Sequence, residues 1–568
     1  MSQPALALDQ SLDVSAAEEA HPFFQDGKWL WEKHYPKGLS WHAPIVKMPV
    51  SHLIDQAAAD FADGPFLDFN GKTTTYAEGK RTVDQIAKGL QQMGVTKGVH
   101  VGLFLPNTPY SVLFHYGILK AGGTVVNYNP LYVERELTSQ IEDSHTDIMV
   151  TNDVPALYDK IESLRTKTRL KKIIICPMTE AAPAVPPDDA HIHYGDIINN
   201  DGAYTTPVID VENDIAVLQY TGGTTGIPKG AMLTHANVNA NVEQLTHWMS
   251  RVVEPGKESI VGVLPLFHVF AMTVMMHCSV RVGMKIIIHQ KFALYEVLES
   301  LRTHRPTFFP AVPAVFSAIA NYASVRSADF SNLKFCISGG APMPADVQRL
   351  FEEKTGSLAL REAYGLTEAS PGVTFNPAAE AAKPGSVGQP LPHTIIDIID
   401  PETGKFLPMG ERGEVCVRGP QVMKGYFNQP EETANVLRDG RLYTGDVGFI
   451  DEHGFLHLVD RLKDMIIVRG YNVYPRIVEE AIYLHPAVEE CIVAGVPDDE
   501  RGESVRAWVK LAEGKTVTEK ELDIFLADKV SAIERPRKII ISETPLPKTA
   551  VGKLSKKDLL AQEGITRK

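Results

Sequence analysis

Tyr220-Thr221-Gly222-Gly223-Thr224-Thr225-Gly226-Ile227-Pro228-Lys229-Gly230 packs four glycines, three threonines and one lysine into eleven residues. The apolar run ahead of it, Ile215 to Tyr220, predicts a buried strand. The segment from Thr234 onward predicts a helix with Thr234 as its N-cap. Glycines let a backbone approach a polyanion closely and aim its N–H groups at it. The hydroxyls add donors, and the lysine adds a mobile positive charge. The string is therefore read as a phosphate-holding loop in a strand–loop–helix setting. It differs from the common phosphate loop, in which a first glycine and four residues precede Gly-Lys-Ser/Thr. Here Lys229 precedes Gly230, and Pro228 stiffens the exit.

Outward from this loop, residues 46–175 alternate between the two periodicities. Lys80–Met93, Tyr110–Ala121 and Leu137–Ser144 read as helices; Val99–Leu105, Gly123–Asn127 and Asp147–Thr151 read as strands. Such alternation predicts a parallel sheet with helices on its faces. Met178–Thr206, rich in Pro, Asp, Asn and Ala, reads as a surface connection. The α/β pattern resumes at Ile215 and runs past Tyr364. From Gly385 short strands and turns dominate (Thr394–Ile399, Gly413–Arg418, Gly448–Ile450, Leu456–Val459), which predicts a small antiparallel barrel or sheet. After the charged joint Asp460-Arg461-Leu462-Lys463, helical Pro475–Leu484 and Thr518–Ala527 and strands Glu489–Val496, Val505–Leu511 and Lys538–Ile541 form one α+β unit. The fold class is α/β: a large N-terminal domain of parallel α/β subdomains with a small β-barrel-like part, then a small mobile α+β C-terminal domain. The boundaries are 1–45 for a mobile tail and lead-in segment, 46–459, a hinge at 460–463, and 464–568.

A chain of 568 residues exceeds one compact core. Its formal charge of −14 argues against nucleic acid as a partner, because a phosphate backbone favours a basic surface. Cys176, Cys278, Cys336, Cys416 and Cys491 are widely spaced and show no Cys-x-x-Cys. Neither a zinc site nor a disulfide framework is indicated, and a reducing compartment fits. Met1–Ala20 lacks a basic region before an apolar stretch, so it is not read as a secretory signal but as a mobile tail. Val261–Val280 holds no Asp or Glu, and no Lys or Arg, over a length that could span a bilayer. Pro265, His268 and His277 favour a buried strand–turn–helix lining a pocket instead. The expected location is cytoplasmic, with peripheral contact at the inner face of the membrane left open.

Seven further strings stand in order along the chain. They are Pro265-Leu266-Phe267-His268, Ser338-Gly339-Gly340-Ala341-Pro342, Glu362-Ala363-Tyr364-Gly365-Leu366-Thr367-Glu368, Tyr443-Thr444-Gly445-Asp446, Asp460-Arg461-Leu462-Lys463, Arg469-Gly470-Tyr471-Asn472-Val473 and Pro547-Lys548-Thr549-Ala550-Val551-Gly552-Lys553. With the glycine loop, this set resembles the signature of the adenylate-forming (AMP-binding) superfamily. Trp29-Leu30-Trp31-Glu32-Lys33-His34-Tyr35-Pro36 and Pro265 to Thr273 are similar to segments of its bacterial long-chain fatty acid–CoA ligases. Residue types agree with the roles this implies. Glu368 is a hard oxygen ligand suited to Mg²⁺ held mainly by water and phosphate. Asp446 can accept from a ribose diol, Tyr364 can stack on a purine, and Arg461 can add a charge-assisted bond. For Tyr364, His268 and Lys553 the plain alternatives are a core tyrosine, a satisfied core histidine and a solvated lysine.

The resemblance implies that a carboxylate attacks the α-phosphate of ATP to give acyl-AMP and pyrophosphate. The thiol of coenzyme A then displaces AMP. Lys553, His268 and Glu368 are the implied catalytic residues. Nucleotide and coenzyme are assigned to Thr221, Gly222, Gly223, Thr224, Thr225, Lys229, Gly340, Ala341, Pro342, Glu362, Ala363, Tyr364, Gly365, Thr367, Asp446, Arg461, Arg469 and Gly470. The acyl pocket is assigned to His268, Val269, Phe270 and Met272, and Mg²⁺ to Glu368 and Thr225. Lys548, Lys556 and Lys557 are read as surface. Rotation of the C-terminal domain about Asp460–Lys463 would exchange Lys553 for the Arg469–Gly470 segment between the two steps. Fatty acid, ATP and coenzyme A are the implied partners, with a homodimer left open. An aryl (coumarate-type) CoA ligase is the near alternative and a non-enzymatic AMP-binding protein the distant one.

Overall fold

The computed structural model describes residues 21–178, 187–221, 228–357, 359–380, 382–469, 471–498, 501–549 and 552–566. The tail Met1–Ala20 and the site residues Gly222, Gly223, Thr224, Thr225 and Gly470 lie outside them.

Two large sheets carry the chain as far as Pro390. One has seven strands in the order Lys229–Thr234, Ile215–Thr221, Thr124–Asn127, His100–Leu103, Ile148–Asn152, Lys172–Cys176 and His191–His193. All its pairings are parallel except the first. Its central strands are apolar on both faces because helices cover both. The second sheet has nine strands, from Gln389–Pro390 at one edge through Leu360–Gly365 and Phe335–Ser338 to Lys72–Thr75 at the other. Helix boundaries follow local chemistry. Thr75 caps Tyr76–Gln92 in a box with Glu78, and Pro109 opens the helix that Gly122 ends at φ +96°.

A five-stranded antiparallel sheet follows, with Ile395–Ile399, Gly413–Arg418 and Arg441–Ile450 side by side and Leu456–Arg461 on the last of them. The lead-in from His21 packs here rather than hanging loose. His21 bonds Asp397 at 2.8 Å, Trp29 and Trp31 stack at 5.2 Å, and Trp31 is fully buried. One core takes in residues from Phe23 to Leu456, whereas Ile466 to Ile539 form a separate core on a five-stranded sheet of their own.

The structure corrects three readings. The glycine loop leads into a strand, not a helix: Lys229–Thr234 pairs antiparallel with Ile215–Thr221, and the helix His235–Met249 follows, capped by Thr234. The apolar Ala231–Leu233 run buries itself between that strand and Lys424–Phe427, where Met232 N donates to Gly425 O at 2.8 Å. Part of the supposed surface connection is also built into the fold. His191–His193 is an edge strand on Lys172–Cys176, and Tyr194–Ile198 is a helix packed on Gly89. Three residues are too few to show a period. Third, Lys556 is half-buried and ion-paired with Glu479, whereas Lys548 is exposed, as the sequence reading has it, and pairs with Glu490.

All five cysteines are buried. Val261–Val280 is an interior segment: the end of strand Ser259–Gly262, a turn, a π-helical stretch Ala271–His277 and a short helix. Among the described residues no helix is long and apolar enough to cross a membrane.

Candidate active site

Asp446 sits within the strand Arg441–Ile450, at the irregularity in its pairing with Gly413–Arg418, and opposite Arg461 in the sheet register. Its Oδ2 accepts from the Tyr364 hydroxyl at 2.6 Å and its Oδ1 from Arg461 Nε at 3.0 Å. Each carboxylate oxygen has a second lone pair, so the group can still accept from a diol. Asp446 raises the Arg461 pKa, and burial pushes the Tyr364 phenol well above its ordinary range. Glu414 ties down this irregularity: its Oε1 accepts from Gly445 N at 3.0 Å.

Lys553 comes to the same place from the far end of the chain. A Cβ on Gly340, at φ +81°, would stand 3.1 Å from Lys553 Cε, so glycine both adopts this backbone and leaves room for the lysine. Burial first, then the Arg461 guanidinium, lowers the Lys553 pKa to about 8, against a smaller opposing effect of Asp446. The same ammonium reaches His268, whose pKa falls to about 3 through burial first and Lys553 second. His268 is therefore neutral. Its Nδ1 accepts from Phe270 N at 3.3 Å, which leaves the ring proton on Nε2 as a donor.

The other assigned residues that the structure describes have partners of their own. Phe270 lies under Gly339, and Glu362 Oε1 accepts from Met343 N at 3.1 Å, tying the Ser338–Pro342 and Glu362–Glu368 segments together. Burial raises Glu362 to about 7. Ala341 is half-buried and Pro342 exposed at the rim, and Ala363 and Thr367 are half-buried. Gly365 touches the Pro371 carbonyl. Glu368 Oε1 accepts from the Tyr426 hydroxyl at 2.7 Å. Thr221 ends its strand directly opposite Lys229, whose ammonium is ion-paired with Glu432. Val269 and Met272 are buried, and Met272 Sδ is 3.6 Å from Asn127 Nδ2. Beside them a cavity of about 10 Å³, bordered by His115, Asn127, Leu266, Phe267 and Met276, has room for one water-sized group.

Arg469 is exposed at φ +53°, in the hairpin turn joining Ile466–Val468 to Tyr471–Val473. Among the described residues no hydrogen bond or ion pair joins its side chain to the Asp446–Lys553 group. Tyr426, Glu432 and Glu414 were not foreseen from sequence. Each acts on a residue between 31 and 203 positions away, and no local spacing marks it.

The AMP-binding enzyme family model matches residues 54–427, and that of the AMP-binding enzyme C-terminal domain matches 477–553. The long-chain-fatty-acid–CoA ligase of Bacillus subtilis (strain 168) is 41% identical over 552 residues, covering 94% of this chain and 98% of that protein. The 4-coumarate–CoA ligase 2 of Solanum tuberosum is 33% identical over 524 residues, 91% of this chain and 94% of that one. Among solved structures, ATP-bound MatB from Rhodopseudomonas palustris superposes with a TM-score of 0.82 at 30% identity, over 91% of this chain and 99% of that one. In its two sheets, its small C-terminal unit and both family models, this chain belongs to the AMP-binding enzyme family.

Proposed function

We propose that the protein activates a medium- or long-chain fatty acid with ATP to acyl-AMP and pyrophosphate, then transfers the acyl group to coenzyme A with release of AMP. The observation that carries this reading is Lys553 lying against Gly340, close enough to Asp446, Arg461 and His268 to share their electrostatics. In the first step a carboxylate oxygen attacks the α-phosphorus and the bond to pyrophosphate breaks. The Lys553 ammonium stands where negative charge grows, and His268 Nε2–H can hold the carboxylate. Asp446, kept in place by Tyr364 and Arg461, takes the ribose hydroxyls. In the second step the thiol attacks the acyl carbon and AMP leaves. The Arg469–Gly470 segment is assigned to that step, with Asp460–Lys463 as hinge.

The donor set fits Mg²⁺. Glu368 offers one carboxylate, and the three-residue donor cluster among the described residues, Asp451–Glu452–His453, does not include it. A single carboxylate suits a cation otherwise held by water and phosphate. Glu368 would hold Mg²⁺, which when bound would offset negative charge on the phosphates. Glu368→Gln should raise the Mg²⁺ concentration needed for half-maximal adenylation, because an amide is a weaker ligand for a hard cation. An unchanged Mg²⁺ titration would remove Glu368 from the metal's shell.

The fatty-acid reading is supported by the apolar Val269–Met276 run and by the names of the bacterial relatives. Met272 and Met276 are buried, flexible side chains that can shift to admit a long chain. Each buried methylene adds about 0.8 kcal/mol, or about a fourfold gain in kcat/KM. A series of saturated acids assayed with ATP and coenzyme A should therefore climb to a maximum among medium or long chains. A maximum at coumarate or benzoate, run as controls, would overturn the fatty-acid reading and leave the ligase chemistry standing.

A further inference from the structure

The Lys229 ammonium is already occupied. It is ion-paired with Glu432, on the short helix Pro430–Val436, and lies 5.3 Å from the centre of the Tyr426 ring. The surroundings fix this arrangement from both sides. Phe427 N donates to Gly230 O and Tyr426 N to Thr433 Oγ1, each at 2.8 Å. Tyr426 also reaches onward, donating its hydroxyl to Glu368. The Lys229 side chain is 17% exposed and that of Glu432 42% exposed, so the pair sits at the rim of the site.

Under the adenylation reading, on which this inference rests, Lys229 serves phosphate. A carboxylate that shares the ammonium neutralises part of its charge and adds a negative charge beside the incoming phosphate oxygens. We propose that Glu432 is a positioning residue that sets the affinity of this site for ATP and pyrophosphate, holding Lys229 until a phosphate oxygen competes for it. The contact works in both directions. It competes with ATP for the lysine on arrival, and it recaptures the lysine as pyrophosphate leaves, which favours departure of a product that must go before the thiol can attack.

The test is ATP–pyrophosphate exchange and overall thioester formation on the full chain, for Glu432→Gln, Glu432→Asp and Glu432→Lys, with thermal unfolding of each. Glu432→Gln should lower both the KM for ATP and the inhibition constant of pyrophosphate by about two- to fivefold, the range of a partly exposed ion pair. Overall turnover should fall as product is retained. Glu432→Lys should lower both constants further, and Glu432→Asp should restore values near the unsubstituted protein. The differences should shrink at about 0.5 M salt, because the pair is at the rim. A KM for ATP that rises in Glu432→Gln at unchanged melting temperature would show that Glu432 merely props up the lysine, and would overturn the inference. Constants that stay flat across the series would overturn it as well. Absence of exchange in the unsubstituted protein would instead bring down the adenylation reading itself, so the two failures are distinguishable.

Discussion

Lys553→Ala should cut acyl-AMP formation by about 10²–10³-fold, the usual loss when one charge that stabilises a transition state is removed. Thioester formation from supplied acyl-AMP should stay largely intact, because that step is assigned to a different face of the C-terminal domain. The pH dependence adds a second signature. Lys553 is held at about 8 by burial and by Arg461, and only the ammonium can act. The kcat/KM for adenylation should therefore be full below about pH 8 and fall about tenfold per unit above it. The sign for stability is opposite. A lysine whose pKa is lower when docked than when released binds fewer protons docked, so docking strengthens as pH rises through about 8. Loss of activity there cannot be put down to the domain coming away. Full adenylation in Lys553→Ala, or a flat profile between pH 7 and about 9.5, would sink the assignment.

Gly365→Ala should cost about 10²-fold in adenylation and about 1–3 kcal/mol of stability. Gly365 pairs with Gly372 across an irregular register, and Leu366 N donates to the Pro371 carbonyl at 3.1 Å. A Cβ on Gly365 would stand 2.3 Å from that carbonyl oxygen and 2.9 Å from its carbon, both main-chain atoms that no rotamer change can clear. The two strands would have to part. Tyr364, which holds Asp446, precedes Gly365, and Thr367 and Glu368 follow it, so the displacement reaches residues proposed for nucleotide and for metal together. Gly195→Ala, at a glycine with nothing within 4 Å of the added carbon, serves as the control and should be neutral. Normal activity and normal unfolding in Gly365→Ala would show that the hairpin yields without moving the site.

Much of this was legible in the chain itself. The strands His100–Leu103, Thr124–Asn127 and Ile148–Asn152 and the helices between them follow directly from hydrophobic period. The cap at Thr234 follows from a side chain that accepts from its own N3 amide. The change in texture near Asp460 coincides with the handover from one core to the next, because each core is built by residues contiguous in sequence. Motif strings singled out Asp446, Lys553, His268 and Glu368 as candidates because each carries chemistry that few residue types supply.

Other features needed the folded chain. Lys229 looks like a free cation beside a glycine loop, yet its charge is shared with Glu432, 203 positions on. Tyr364 looks like a stacking ring, and its hydroxyl is tied to Asp446, 82 positions on. The strand Lys229–Thr234 hides behind a glycine loop because its partners, Ile215–Thr221 and Lys424–Phe427, decide its state more than its own propensity does. Local sequence determines element type, since periodicity and capping act within a few residues. Register, ion pairing and burial arise between segments tens to hundreds of residues apart. Only the tertiary structure could therefore place Lys553 at Gly340 and lower its pKa to about 8.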